Sequence, residues 1–287
     1  MRPQTKVLIA GMLFATGGAM IKACEFPSLQ RAGVRAVIAA ITLFLLLPEA
    51  RRWPTARTLR LVLPYFGATC LFVVSNTMTT AANATFLQAS APLWVTLLCP
   101  LLLQERPRRS DLFVLAGILA GMALFFIAPA TASETATSPR LGDILAIGSG
   151  ASFALLLVGL RWLGRTSPGE TSAAVAWGNA FTAPIAFLLM PLVGQTPVLG
   201  DASDWLVILY LGTFQVGLAY VMLVRAIPHV SAVQASLLLM IEPALNPLIA
   251  YAVHGERPHW LAFIGGVLIV LSVAAGSVWA RRRQQVP

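Results

Sequence analysis

The chain has 287 residues, of which 57% are hydrophobic and only 11% charged, and it carries a formal net charge of +9 and a mean hydropathy of +0.79. Soluble domains hold about 25% charged residues to keep their surfaces in water, so this composition excludes an ordinary globular fold and implies a surface that faces lipid. The basic residues form short clusters between apolar runs (Arg51, Arg52, Arg57, Arg60; Arg106, Arg108, Arg109; Arg281, Arg282, Arg283), with no basic groove and interleaved aromatics, which excludes nucleic acid as a partner.

A helix that crosses the hydrocarbon core needs about 20 residues. Apolar runs bounded by charges, prolines and glycines predict ten such helices, at 6–24, 30–48, 60–80, 81–103 and 111–129, then 142–160, 173–193, 204–224, 230–253 and 259–280. The fold class expected is an all-α polytopic membrane protein. The first run follows Arg2 and Lys6 and continues through Gly17, Gly18 and Ala19 to Lys22 without a small-x-small cleavage site. It reads as a retained helix that doubles as a signal anchor. Arg31 and Arg35 stand near the start of the second run and read as interfacial anchors. Only the polar stretch Thr77–Asn83 separates the third run from the fourth, and a Ser/Thr-rich linker, Thr131–Pro139, follows the fifth.

Three cysteines (Cys24, Cys70, Cys99) show no CxxC and no spacing to histidine that would build a metal site. No cofactor is read from the chain. Prolines within the runs (Pro64, Pro92, Pro100, Pro184, Pro243, Pro247) are expected to bend their helices. Gly117 and Gly121 form a GxxxG pattern that allows close helix approach, and spans five and ten offer a homodimer contact.

Orientation follows from Lys and Arg alone. With a cytoplasmic N-terminus, ten spans return the C-terminus to the same side. The cytoplasmic segments then hold fifteen of the twenty basic residues, and the other side only Lys22, Arg31, Arg35, Arg140 and Arg257. The expected location is the bacterial inner membrane with both termini inside.

The two halves resemble one another. Pro92 is followed thirteen residues later by Glu105-Arg106-Pro107, and Pro243 thirteen residues later by Glu256-Arg257-Pro258. The same shift of 151 residues pairs Thr80 with Ser231, Asn83 with Gln234, Leu87 with Leu238 and Leu97 with Leu248. The expected organisation is a first five-helix repeat over 1–130, an external linker over 131–140 and a second repeat over 141–287. An odd number of spans per half makes the copies cross the membrane in opposite senses. Inverted repeats of this kind place a solute site near midplane in many secondary transporters.

Two five-helix halves, a proline midway through the fourth helix of each, and Gln104-Glu105 or Gly255-Glu256 at its end resemble the drug/metabolite transporter superfamily, EamA type. Ala19-Met20-Ile21-Lys22, Arg35-Ala-Val-Ile-Ala-Ala, and the stretch from Ala219-Tyr220 through Ser231-Ala232 to Glu242-Pro243 look like that family too. The likeness covers nearly the whole chain and is strongest in spans four, five, nine and ten. The first helix departs from the family's usual Trp-Gly, with Phe14-Ala15-Thr16-Gly17-Gly18 in its place. The resemblance implies an exporter of small metabolites, often amino acids or their analogues, working through a central cavity.

Charged groups deep in a membrane cost about 2.5–3.5 kcal/mol on insertion scales, so each needs a reason. Glu242, midway along span nine, reads either as a ligand for a solute ammonium group or proton-coupling carboxylate, or as a buttress of the Pro243 kink. Lys22 closes the first span, where it meets a solute carboxylate, pairs with Glu242, or snorkels to the interface. Asn83 and Gln234 occupy matched positions near the start of the fourth helix of each half. Three- and four-residue periodicity places Asn83 on one face with Leu87, Ser90 or Ala91, and Trp94, and Gln234 on another with Leu238, Glu242 and Leu245. Those faces line a site for an amphiphilic solute or make interhelical hydrogen bonds. Trp94, Trp177 and Tyr220 are the aromatics set furthest inside their spans, and Asn76, Asn179 and Gln215 are amides that need partners away from lipid. Trp53, Trp162, Trp205, Trp260 and Trp279 fall near span ends as interface-belt residues.

The function expected is a secondary transporter exporting small metabolites, most simply hydrophobic or aromatic amino acids, by alternating access. The alternative is a non-transporting membrane scaffold or lipid scramblase. An enzyme is not expected: there is no HExxH and no GxSxG, and His229, His254 and His259 all fall near loops.

Overall fold

The computed structural model describes residues 1–104, 109–127, 136–167, 169–255 and 259–284. Its regular elements form ten helical spans. In the first half they are α1 (Pro3–Lys22), α2 (Ser28–Leu46), α3 (Ala56–Met78), α4 (Ala81–Leu102) and α5 (Arg109–Ile127). In the second half they are α6 (Pro139–Thr166), α7 (Glu170–Leu189), α8 (Ala202–His229), α9 (Ala232–His254) and α10 (Trp260–Gln284). Eight of these are long and apolar enough among the described residues to cross a membrane. Helices α5 and α10 complete the halves at 19 and 25 residues. The fold is therefore an all-α polytopic membrane protein of two inverted five-helix repeats. The two Glu-Arg-Pro signatures lie outside the described residues, as does most of the linker after α5.

Local chemistry repeats between the halves. Helix α4 opens with the Thr80 side chain accepting from the Asn83 N–H, and α9 opens with Ser231 accepting from the Gln234 N–H. These caps satisfy an otherwise orphaned donor at each helix start. Both helices are interrupted midway, at Ala89–Ser90 and at Leu239–Met240. Each interruption comes just before the paired prolines Pro92 and Pro243, which lack an N–H and crowd the preceding turn. By contrast, helix runs unbroken through Pro100 and Pro184. Helix α1 breaks at Thr16, ahead of Gly17 and Gly18, with the Thr16 hydroxyl donating to the Leu13 carbonyl.

Packing relies on small residues, as expected where lipid tails are as apolar as the side chains. The Gly117–Gly121 face of α5 lies directly on α10, Gly117 against Ser272 and Gly121 against Gly265 O and Ile269. That glycine face is therefore filled within the chain. One apolar core, through Val7, Leu43, Tyr65, Leu157, Leu160 and Val224, fills the end that carries the N-terminus. A second, through Ile21, Phe26, Val73, Met190 and Ile208, fills the opposite end. Cys24, Cys70 and Cys99 are buried thiols, and burial pushes the Cys24 thiol above its ordinary pKa.

The loop before α8 is bonded over the α1–α2 turn. Asp204 accepts from the Glu25 N–H at 2.6 Å, Gln195 accepts from the Leu29 N–H at 3.1 Å, and Gln30 exchanges two bonds with Val198. Arg31 is part of this turn and corrects the interfacial expectation. It is 7% exposed and donates to the Ile21 and Phe26 carbonyls at 2.5 and 2.6 Å, so it staples backbone that α1 and the turn leave unpaired.

Candidate functional site

The helix breaks surround a central cavity lined by Phe14, Arg35, Ala68, Thr69, Phe72, Gln88, Phe153, Gln215, Val216, Tyr220 and Glu242. A second cavity adjoins it, with Gln88, Phe153 and Glu242 common to both. Thr85, Ser236, Leu239 and Met240 line the second space, where Glu242 stands just past the α9 break.

Each break delivers a functional side chain. Phe14 precedes the α1 break, Gln88 precedes the α4 break and Glu242 follows the α9 break. The rings of Phe14 and Tyr220 meet edge to face at 5.2 Å, and Phe14 meets Phe153 the same way at 6.4 Å. Tyr220 also packs on Tyr65 at 5.3 Å, and the Tyr65 hydroxyl accepts from Asn179. Gln88 donates to Ser149 Oγ at 2.7 Å and to the Ala68 carbonyl. These bonds fix the polar wall on the side of α3 and α6.

Two ionisable side chains face the cavity. Glu242 is half-buried, and among the described residues no side chain hydrogen-bonds or ion-pairs with its carboxylate. Arg35 is 3% exposed and, among the described residues, donates only to neutral oxygens, Gln215 Oε1 at 3.4 Å and the Thr69 carbonyl at 3.2 Å. Arg35 is thus a cavity residue and not an interfacial anchor. Helix α2 carries it inward because its buried stripe (Ala32, Ala36, Ala39, Leu43) packs on α7 and α8. Gln215 reaches Arg35 from a π-helical stretch of α8, Leu211–Leu218. A π turn holds an extra residue, which re-aims the side chains that follow, and such turns concentrate at functional sites.

Of the eight residues singled out from the sequence, Tyr220 and Glu242 line the cavity. Lys22 Nζ donates to the Thr79 carbonyl at 3.0 Å, where α3 ends. Asn83 donates to Asp143, whose carboxylate also accepts from Thr79 at 2.8 Å. Asn76 is buried and donates to the Phe72 carbonyl. Trp94 Nε1 donates to Ser90 Oγ. Trp177 donates to the Arg52 carbonyl and stacks on Trp53 at 5.6 Å. Gln234 is exposed, so it does not share a face with Glu242. The break at Leu239–Met240 separates the two, and helical periodicity does not carry across it. Nine lining residues fall outside that set, Arg35, Gln88 and Phe153 among them. The signal for Arg35 was a charge seven residues inside a span, and Gln88 stood just ahead of Pro92.

Fold and cavity together define a polytopic helical membrane protein with a chamber lined by Arg35 and Glu242 where its broken helices meet. A family model described as the EamA-like transporter family matches residues 4–127 and again residues 140–277. The chain belongs to that family. Among similar proteins, a biotin transporter of Salmonella typhimurium is 26% identical over 199 residues, 68% of this chain and 63% of that protein. An Escherichia coli K12 biotin transporter is 26% identical over 201 residues, with the same coverage of each chain. An uncharacterized transporter of Bacillus subtilis is 26% identical over 202 residues, 68% of this chain and 64% of its own. The matched region thus spans just under two thirds of these relatives. A solved crystal structure superposes with a TM-score of 0.73 at 19% identity, covering 99% of this chain and 100% of the other, which speaks to the fold.

Proposed function

We propose that the chain is a secondary transporter that moves small metabolites across the bacterial cytoplasmic membrane, with export of hydrophobic or aromatic amino acids as its task. The observation that carries this reading is Glu242, a carboxylate without a protein partner among the described residues, set beside Phe14, Phe153 and Tyr220 in the central cavity. An ammonium group on the carboxylate and an apolar side chain among the rings would satisfy both parts of that wall. Inverted repeats, with breaks in α1, α4 and α9 around the chamber, supply the two related packings that alternating access requires. The excess of Lys and Arg on one side supports cytoplasmic termini.

The biotin transporters among its relatives support a second solute class, a carboxylated vitamin without an ammonium group. Reconstituted protein tests the choice directly. Proteoliposomes loaded in turn with radiolabelled phenylalanine, tryptophan, leucine and biotin should lose at least one amino acid faster than empty controls. Loss of biotin alone would move the assignment to the vitamin. Lipid scrambling with no solute flux would sink transport altogether and leave the scaffold or scramblase reading.

A further inference from the structure

We infer that Arg35 is the site's carboxylate-binding residue and that Gln215 is a placeholder which the solute carboxylate displaces, withdrawing its side chain from the α1 break. The inference rests on the transport reading above and adds to it the group that holds the solute's acidic end.

The two buried arginines of α2 set the contrast. Arg31 makes contacts of 2.5 and 2.6 Å to backbone carbonyls, at or below the ~2.7–2.9 Å usual when the donor is charged. Arg35 makes contacts of 3.4 and 3.2 Å, both longer than that. A guanidinium stays protonated and offers five donors in a planar fork. Arg35 therefore keeps its charge beside the cavity with weak neutral acceptors and, among the described residues, no carboxylate in ion-pair range. A solute carboxylate would supply the charge and the two coplanar oxygens that fork matches.

The side chain it would replace is connected to the hinge. Gln215 gives Oε1 to Arg35, and its Nε2 lies against Gly17, 2.6 Å from where a β-carbon would stand. One π-helical stretch earlier, the Tyr210 hydroxyl donates to Thr16 Oγ1 at 3.1 Å. Helix α8 thus bonds the α1 break at Thr16 and packs the Gln215 amide against the next residue, Gly17. A carboxylate seated on Arg35 takes the place of Gln215 Oε1, and the amide must turn away. Its packing on Gly17 goes with it, which loosens α1 at the break. Solute binding and helix movement are then one event.

The test uses detergent-purified full-length protein and equilibrium dialysis with four probes: L-phenylalanine, its methyl ester, phenethylamine and 4-phenylbutyrate. Phenylalanine and 4-phenylbutyrate should bind and compete with one another, and the ester and the amine should bind at least about tenfold more weakly than phenylalanine, as loss of a charge-assisted bond implies. Gln215→Glu supplies an internal carboxylate to Arg35 and should weaken both acids by about tenfold or more. Gln215→Ala removes the placeholder and should bind them at least as tightly as wild type. A merely structural Gln215 would weaken binding in both variants. Arg35→Lys keeps a charge without the fork and should fall between wild type and Arg35→Gln, each checked for monodispersity by gel filtration. Equal binding of acid, ester and amine, unchanged affinity in Gln215→Glu, or no acid binding at all would overturn the assignment. If 4-phenylbutyrate binds through Arg35 and phenylalanine does not, the amino-acid reading falls and the Arg35 assignment stands. If phenylalanine is transported and the Arg35 and Gln215 variants leave its affinity unchanged, the reverse holds.

Discussion

Glu242→Gln separates the two roles open to this carboxylate. The substitution keeps the side chain's size and removes its charge. Among the described residues no donor loses a partner, because none bonds the carboxylate now, and the α9 backbone bond from the Glu242 N–H to the Leu239 carbonyl is unaffected. Stability should therefore hold within about 0.5 kcal/mol, the range for changes that disturb no feature. An ammonium group bound to the carboxylate in a water-poor chamber contributes about 1.5–3 kcal/mol, so its loss should raise the half-saturating amino-acid concentration by about tenfold to hundredfold. The assay pairs efflux from proteoliposomes with thermal unfolding of the same preparation in detergent. Normal efflux would refute the ligand role. A midpoint lowered by several degrees, which for a chain of this size means more than about 1 kcal/mol, would instead assign Glu242 to supporting the turn before Pro243. Uptake of a solute that has no ammonium group should be indifferent to the change, which makes biotin the natural control.

Three further expectations concern the scaffold. Thr80→Ala and Ser231→Ala each remove an N-cap from the matched helices α4 and α9 and should each cost about 1 kcal/mol; thermal midpoints that fall for one and not the other would break the equivalence of the two halves. Gly121→Leu must displace the Gly265 carbonyl or Ile269, and overpacking of that kind costs about 1–3 kcal/mol. Gly148→Ala, whose nearest neighbour is Leu71 Cδ1 at 3.5 Å, should be neutral or stabilising, so comparable losses of folded yield in both would contradict the α5–α10 packing. Asp201 caps α8, and the hydrogen bond from the Asp204 N–H, aided by the Ser203 hydroxyl, holds its carboxyl below the ordinary value. A depressed folded pKa stabilises at neutral pH, and that contribution is lost as pH falls through the folded value. Asp201→Asn keeps an acceptor at the cap and should flatten this acid-side dependence in pH-scanned unfolding; an unchanged profile would remove Asp201 from it.

Much of this architecture was legible along the chain, and the reason is local. A span is a run of apolar residues, so hydropathy found ten, including the narrow division that falls between Met78 and Ala81. The caps at Thr80 and Ser231 and the prolines at 92 and 243 act on residues within a turn of themselves, so their repeat at a fixed shift carried through to matched helix starts and matched breaks. Glu242 stood out because a carboxylate in an apolar run has no local explanation.

What a side chain faces is a different kind of fact. A membrane helix is apolar all round, so its sequence gives lipid no strong preference for one face, and packing against distant helices decides. That is why Arg35 turned inward to the cavity while Arg31, one turn away, was spent on the α1–α2 loop. It is also why Trp177 went to Arg52 and Trp53 instead of the chamber. Breaks and π turns then reset the register: the interruption in α9 parted Gln234 from Glu242, and the π stretch in α8 brought Gln215 onto Arg35. The sequence by itself determined that this protein crosses the membrane in ten spans as two related halves. Only the tertiary structure decided which charges meet at the centre, because that depends on contacts between residues as far apart as 35 and 215.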